Sequence, residues 1–166
     1  MGTGDETHAK VRLLDLSDAV RPARKKWGAR IGAILRWSLA QGRPVVPDVL
    51  ALILVARNEW TDGEESDVWT RIDVYHCLYA EIFNWCALRR VLVPDFVPET
   101  LWVYLHYLKD QRMFRAGSDP FRELLRPLRC YGGLDADGRP YEPAAHPRVR
   151  CVCKVPYRPR RTADET

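Results

Sequence analysis

Four side chains near the C-terminus have the chemistry to hold zinc: Cys130, His146, Cys151 and Cys153. Thiolate and imidazole are the ligands zinc takes, and a structural site closes all four tetrahedral positions. The spacing, C-x15-H-x4-C-x-C, is not that of a knuckle with paired C-x2-C turns. On a strand Cys151 and Cys153 would share one face, so one fold-back must bring in the other two ligands. The competing reading makes these cysteines small hydrophobes along the inner face of a terminal strand; a redox pair is the third. Zinc at this cluster is the one cofactor that the sequence suggests.

A second set is Asp73 with His76, and His106 with Asp110. Separations of three and four place each pair on one helical face. Facing each other, the pairs would resemble a helical metal or acid–base site. The Glu-x-x-His pairs of carboxylate-bridged di-iron bundles are absent. The simpler alternative is histidines that donate to a nearby carbonyl or carboxylate and do nothing more.

The third set is basic. Between Ala19 and Pro47 there are seven basic residues and no acid; Arg24, Lys25, Lys26, Arg30 and Arg36 are among them. From Pro143 to Ala163 there is again no acid, while Arg148, Arg150, Lys154, Arg158, Arg160 and Arg161 all fall there. Such residues neutralise phosphates and release counterions, which gives affinity independent of base sequence. Trp37 and Tyr157 lie among them and could stack bases. The other candidate partner is an acidic protein surface, including segment 59–67 of a second copy, which has five acids and no base. The bland reading is a solvated helix face in an arginine-rich chain: 21 of its 26 basic residues are arginine.

Mononucleotide, dinucleotide, zincin and nucleophile-elbow motifs are all missing. The expected function is therefore a non-enzymatic binding or regulatory module that engages nucleic acid or an acidic partner through the basic first helix and C-terminal segment. A small metal protein or enzyme is the first alternative, and a structural homo-oligomer the second. For the oligomer, Gly28 and Gly32 form a G-x-x-x-G spacing that permits close helix approach, although the warrant for that motif comes from membranes.

These residues need elements to position them. The chain has 166 residues and 46% apolar content, which suits one domain with a sizeable core. The opening MGTGDETHAK is polar and acidic, unlike a signal peptide, and position 6 lacks the serine or threonine of a myristoylation site. The longest apolar run, Val49 to Ala56, is too short to cross a bilayer. The five cysteines are odd in number, which argues against a secreted disulfide framework. A cytoplasmic protein without membrane partners is expected.

The centre of the chain is residues 64–93. Val68, Ile72, Tyr75, Tyr79, Ile82 and Cys86 recur at helical spacing, and Trp69, Leu78, Phe83, Trp85 and Leu88 extend the apolar surface nearly all round. Ser66 is the expected N-cap, and Pro94 the stop. A basic amphipathic helix should precede it over 22–41, with Pro22 at its first turn and Trp27, Ile31, Ile34, Leu35 and Leu39 on its inner face. Residues 48–60, between these two, read as the second helix of the chain, although the apolar run also suits a buried strand. Pro98 and Glu99 begin a helix to about residue 114, and a short one starts at Ser118–Pro120 and halts at Pro127. Beyond 128, DADG at 135–138 reads as a hairpin turn, and Val149 to Val155 as a strand. RPVVPD at 43–48 echoes RVLVPD at 90–95. The predicted fold is thus mainly α: a four-helix-type bundle of two helical hairpins, with a short fifth helix and a small C-terminal β appendage. Residues 1–17 are expected to be a flexible N-terminus, 18–127 the helical domain, 128–157 the appendage and 158–166 a flexible basic tail.

Overall fold

The computed structural model describes residues 12–62 and 67–140. Among these the chain is mainly helical, and its only β pairings are isolated bridges. In order come α1 (Leu16–Lys26), α2 (Gly28–Ala40), α3 (Pro47–Trp60), α4 (Arg71–His76), a π-helical turn (Cys77–Glu81), α5 (Ile82–Arg89), α6 (Val97–Asp110) and α7 (Phe121–Cys130). The central helix is therefore α4, the π turn and α5 end to end. No helix among the described residues is long and apolar enough to cross a membrane. The strand expected over 149–155 lies outside the described residues, as do residues 1–11, 63–66 and the remainder of 141–166.

The first helix starts earlier than proline chemistry suggests, and it is broken. Asp15 is the N-cap, its carboxylate accepting from Ser17 N at 2.7 Å. Leu14 pairs with Val91 in a parallel bridge, so part of the expected flexible N-terminus is docked. Pro22 sits inside α1 and not at its first turn. It has no N–H to offer the Asp18 carbonyl, and the helix ends one turn later at Trp27 (φ −107°, ψ 22°). Pro127 repeats the pattern. It lies buried within α7, and the helix runs on to Cys130. Proline weakens these helices one turn downstream; it does not stop them where it stands.

The run from Val49 is a helix and not a strand. Val49 to Leu54 and Ala56 are all buried, because α3 touches α1, α2, α5, α6 and the π turn. A helix apolar all round needs such surroundings. Each large side chain buried there contributes roughly 1.5–3 kcal/mol.

The central helix starts at Arg71, not after Ser66. Thr70 and Asp73 form a capping box: Asp73 N donates to Thr70 Oγ1 at 3.2 Å, and Thr70 N to Asp73 Oδ2 at 2.9 Å. Residues 67–70 are instead extended against the loop before α7. Trp69 N donates to Ser118 Oγ at 3.1 Å and Asp119 N to Trp69 O at 2.9 Å. That docking leaves Trp69 only 1% exposed. Along the π turn and α5 the buried face is Cys77, Leu78, Glu81, Ile82, Trp85 and Cys86, while Tyr79, Phe83 and Leu88 are exposed. The apolar surface is thus not covered all round. The helix stops at Arg90, before Pro94, in a left-handed conformation (φ 56°, ψ 41°) with Val91 N donating to Cys86 O at 2.9 Å. Arg112 (φ 54°) closes α6 in the same way, earlier than residue 114.

The predicted turn at 135–138 is present. Gly138 N donates to Asp135 O at 3.1 Å, and Leu134 bridges Pro140. The Asp135 carboxylate accepts from the N–H groups of Asp137 and Arg139, which hold it below the usual carboxylate range. Gly138 has φ 72°, and a Cβ there would fall 2.3 Å from the Trp102 ring.

The polar centre of the fold is Arg57. Its Nη1 lies 2.9 Å from Glu81 Oε1 and 3.3 Å from Asp73 Oδ1, and its guanidinium lies 4.3 Å from the Trp69 ring. Burial opposes the charge on Arg57, yet Glu81 and Asp73 hold it protonated. Burial pushes the Glu81 carboxyl up to about 7 against the pull of Arg57.

Two outcomes are expected. Glu81 binds its proton more tightly folded than unfolded, so its charge opposes folding fully above about pH 7, and less as the pH falls from there towards 4.5. Glu81→Gln should flatten the stability–pH curve in that window. Arg57→Met should cost about 3–5 kcal/mol near pH 7.5, and less near pH 5.5, where Glu81 is neutral. Urea melts of both variants across pH check this. Gly138→Ala should cost about 1–3 kcal/mol through its left-handed φ and its collision with Trp102. It should also change tryptophan emission while far-ultraviolet dichroism stays helical.

Candidate functional site

A cleft of about 770 Å³ lies between α2, α6 and the turn at 135–138. The sequence explains its walls. Trp37 and Gln41 lie one turn apart near the end of α2. Trp102, His106, Lys109 and Asp110 follow at helical spacing on α6, and Arg112 sits just past its end. The turn brings Asp137 and Arg139 to the same mouth, with Arg43 reaching across from the segment after α2. Arg43 fixes the turn by donating to the Asp137 and Gly138 carbonyls, the latter at 2.7 Å. Those acceptors are backbone oxygens; an acid that feels its charge is Asp135 of the same turn, which Arg139 and Arg43 both help to keep ionised. Lys109 lies 4.4 Å from the Phe121 ring centroid. Four cations (Arg43, Lys109, Arg112 and Arg139) thus meet two carboxylates at this cleft.

Trp37 is half-buried and anchored. Its Nε1 donates to Asp110 Oδ2 at 2.9 Å, and its ring meets Tyr107 edge-on at 5.7 Å. His106 is held on both sides by rings, Trp102 at 4.8 Å and Phe121 at 4.9 Å. Its Nδ1 lies 2.9 Å from Trp102 O, so the proton on that nitrogen donates to the carbonyl. Burial first, and then the nearby Arg43 and Lys109, lower its pKa, which leaves the ring neutral at neutral pH. His106 and Asp110 share the cleft, as their spacing predicts, but bind different partners.

The other sequence candidates are scattered. Asp73 is held by the capping box and Arg57, and His76 lies 6.2 Å from the Trp60 ring. Among the described residues no three His, Cys, Asp or Glu side chains gather to hold a metal. Cys130 is exposed at the end of α7; His146, Cys151 and Cys153 lie outside the described residues. A methyl group placed on Gly28 would meet nothing within 4 Å, and one on Gly32 only the Arg36 side chain, so neither glycine marks a close helix contact within the chain.

The basic first helix is partly absorbed by folding. Arg24 pairs with Asp48 at 3.0 Å. Arg30 turns inward to Asp67 at 3.2 Å and to Tyr104 Oη at 2.6 Å. Burial raises the Tyr104 hydroxyl well above its usual value, which keeps it a neutral partner. Lys25, Lys26 and Arg36 are exposed, Lys26 lying over Trp27 at 4.5 Å. Leu39, expected on the inner face, is 68% exposed. Of the predicted binding residues in the described part, only Trp37 lines the cleft. Sequence reasoning misses Arg43, Lys109, Arg112 and Arg139. Their one sequence signal is position, since each stands at or beyond the end of a helix. Arg148, Arg150, Lys154, Arg158, Arg160 and Arg161 lie outside the described residues, on the chain that continues from Pro140.

No protein-family model matches this chain, and no curated protein or solved structure matches it either.

Proposed function

We propose that the chain is a non-enzymatic binding module that takes single-stranded nucleic acid at the cleft between α2 and α6. The observation that supports this best is the convergence of Arg43, Lys109, Arg112 and Arg139 on a cleft walled by Trp37. Cations that track a phosphate backbone beside an aromatic ring are the usual means of holding a single strand without reading its sequence. The pairing of each group favours the same ligand. Arg43 is positioned by carbonyls and not by an ion pair, and a neutral His106, packed between Trp102 and Phe121, adds no charge to the cleft. The acid-free segment 143–163 continues the chain shortly after the turn that forms one wall. Lys25, Lys26 and Arg36 extend the basic surface without lining the cleft.

The test is fluorescence anisotropy with labelled single- and double-stranded oligonucleotides across a salt series. Affinity should fall steeply with salt, and single strands should bind more tightly. The variant Lys109→Glu/Arg112→Glu/Arg139→Glu should flatten the log–log salt slope by about 2, as three phosphate contacts at roughly 0.7 each are lost. Lys25→Glu/Lys26→Glu should change it far less. Trp37→Ala should cost about 1–3 kcal/mol of binding as a stacked base loses its platform. Absence of binding at low salt would overturn the reading, and an acidic protein partner would then be the one to seek.

A further inference from the structure

A second cleft, of about 560 Å³, opens between α3 and α5. Trp60, Trp85 and Leu88 line it, together with Glu59 and Glu81. Trp60 is 46% and Leu88 81% exposed, so two large apolar groups stand at the rim. Glu59 is already engaged: Arg89 Nη2 lies 2.8 and 3.0 Å from its two oxygens, and Trp85 Nε1 donates at 3.3 Å.

Glu81 is different. Its side chain is 0% exposed. Oε1 accepts from Arg57 at 2.9 Å, while Oε2 is buried with no hydrogen-bond partner. The groups that face this carboxylate are Arg57 from α3, Asp73 from α4 and the buried Cys77 thiol of the π turn. Burial raises the Glu81 pKa, and the Cys77 thiol lowers it slightly by hydrogen bonding to the carboxylate, but a thiol is a weak donor and does not offset the burial. With both carboxylates ionised, one guanidinium serves two negative charges. A buried acceptor without a donor is costly, and a charged N–H donor answers it best. A π turn at this point is also the kind of helix irregularity found at ligand sites.

We infer that the cleft between α3 and α5 binds a small organic amine, whose ammonium donates to Glu81 Oε2 while its apolar body lies against Trp60, Trp85 and Leu88. The added cation balances the second carboxylate, and the indoles suit both a flat apolar body and a nearby positive charge. Leu88, turned largely to water, can rotate aside to admit the ligand. This site shares no lining residue with the basic cleft and does not rest on nucleic-acid binding. Binding holds Glu81 ionised, so the complex releases a proton.

Isothermal titration calorimetry on the full chain near pH 7.5 tests this with three probes: 2-phenylethylamine, the neutral 2-phenylethanol, and phenyltrimethylammonium, a cation without an N–H. The amine should bind at least about tenfold more tightly than either analogue. Its affinity should fall from pH 8 to pH 6, and its heat should vary with the ionisation enthalpy of the buffer as a proton is released. Glu81→Gln should abolish the preference for amine over alcohol. Trp60→Ala, a change at an exposed ring, should weaken the amine at least tenfold in a protein that melts as the parent does. Equal affinity for amine and alcohol, undiminished binding by Glu81→Gln, or no binding of amine at millimolar concentration would each overturn the inference.

Discussion

One guanidinium holds the interior of this protein in register. Apolar burial drives the helices together but is not directional, and α3 is apolar on every side from Val49 to Leu54, so that stretch does not say which residue faces which neighbour. Arg57 decides it. It meets Asp73 on α4, Glu81 on the π turn and Trp69 on the extended segment before them. The π turn is part of the same constraint. At about 100° per residue, two α-helical positions eight apart diverge by about 80°. A turn closed by Ile82 N on Cys77 O takes in one more residue and brings Glu81 back towards the face of Asp73. With a regular helix through Cys77–Glu81, one of the two carboxylates would lose Arg57.

The same accounting of charge separates structural cations from those left for a partner. Folding draws Arg24, Arg30, Arg57 and Arg89 into pairs with Asp48, Asp67, Asp73, Glu81 and Glu59. The more exposed of these pairs, Arg24–Asp48 and Arg89–Glu59, add little stability, typically under about 1 kcal/mol, yet each pair, exposed or buried, cancels a charge that a partner could otherwise use. Lys25, Lys26 and Arg36 survive on helix faces, while the cations that meet at the α2–α6 cleft stand mainly after helix ends. Arg112 terminates α6 in a left-handed conformation, where a glycine would be the easier choice, and Arg43 directly follows the glycine that ends α2. These positions project side chains beyond the helix barrel, and at the α2–α6 cleft the turn at 135–138 adds Arg139 to the group.

Much of the helical content is legible in the sequence. The apolar run from Val49, the proline before it and the stripe of α6 lead to the right elements, and DADG leads to the right turn. Boundaries fail where a local signal competes with a tertiary one. Pro22 has the chemistry of a helix start, but Asp15 caps nearly two turns earlier, where Leu14 is tied to Val91. Ser66 has the chemistry of a cap, but the chain stays extended through Thr70 because Trp69 is needed in the core. The site is less legible, for a physical reason. Amphipathic spacing predicts which face a cation lies on, but not whether an acid from a distant segment meets it. Arg30 and Asp67 are 37 residues apart in the chain, and periodicity carries no information about that pairing. The cation cluster at the α2–α6 cleft is hidden in the same way, since Arg139 joins Arg43 only once the turn has folded back.

Glu81 is where the chain departs furthest from what stability alone would select. A buried ion pair is often matched or bettered by apolar residues of similar volume, and every neighbour of Glu81 along the buried face of this helix is apolar. A leucine or methionine there would end the competition between Glu81 and Asp73 for Arg57 and leave no orphaned oxygen. The carboxylate instead sits fully covered, half-satisfied, and raised to about 7 by burial. Local rules are broken in this way mostly where a site has a use for the departure. Because Glu81 lines a cleft that it shares with two indoles and an exposed leucine, the group that would satisfy its second oxygen can come from outside the fold.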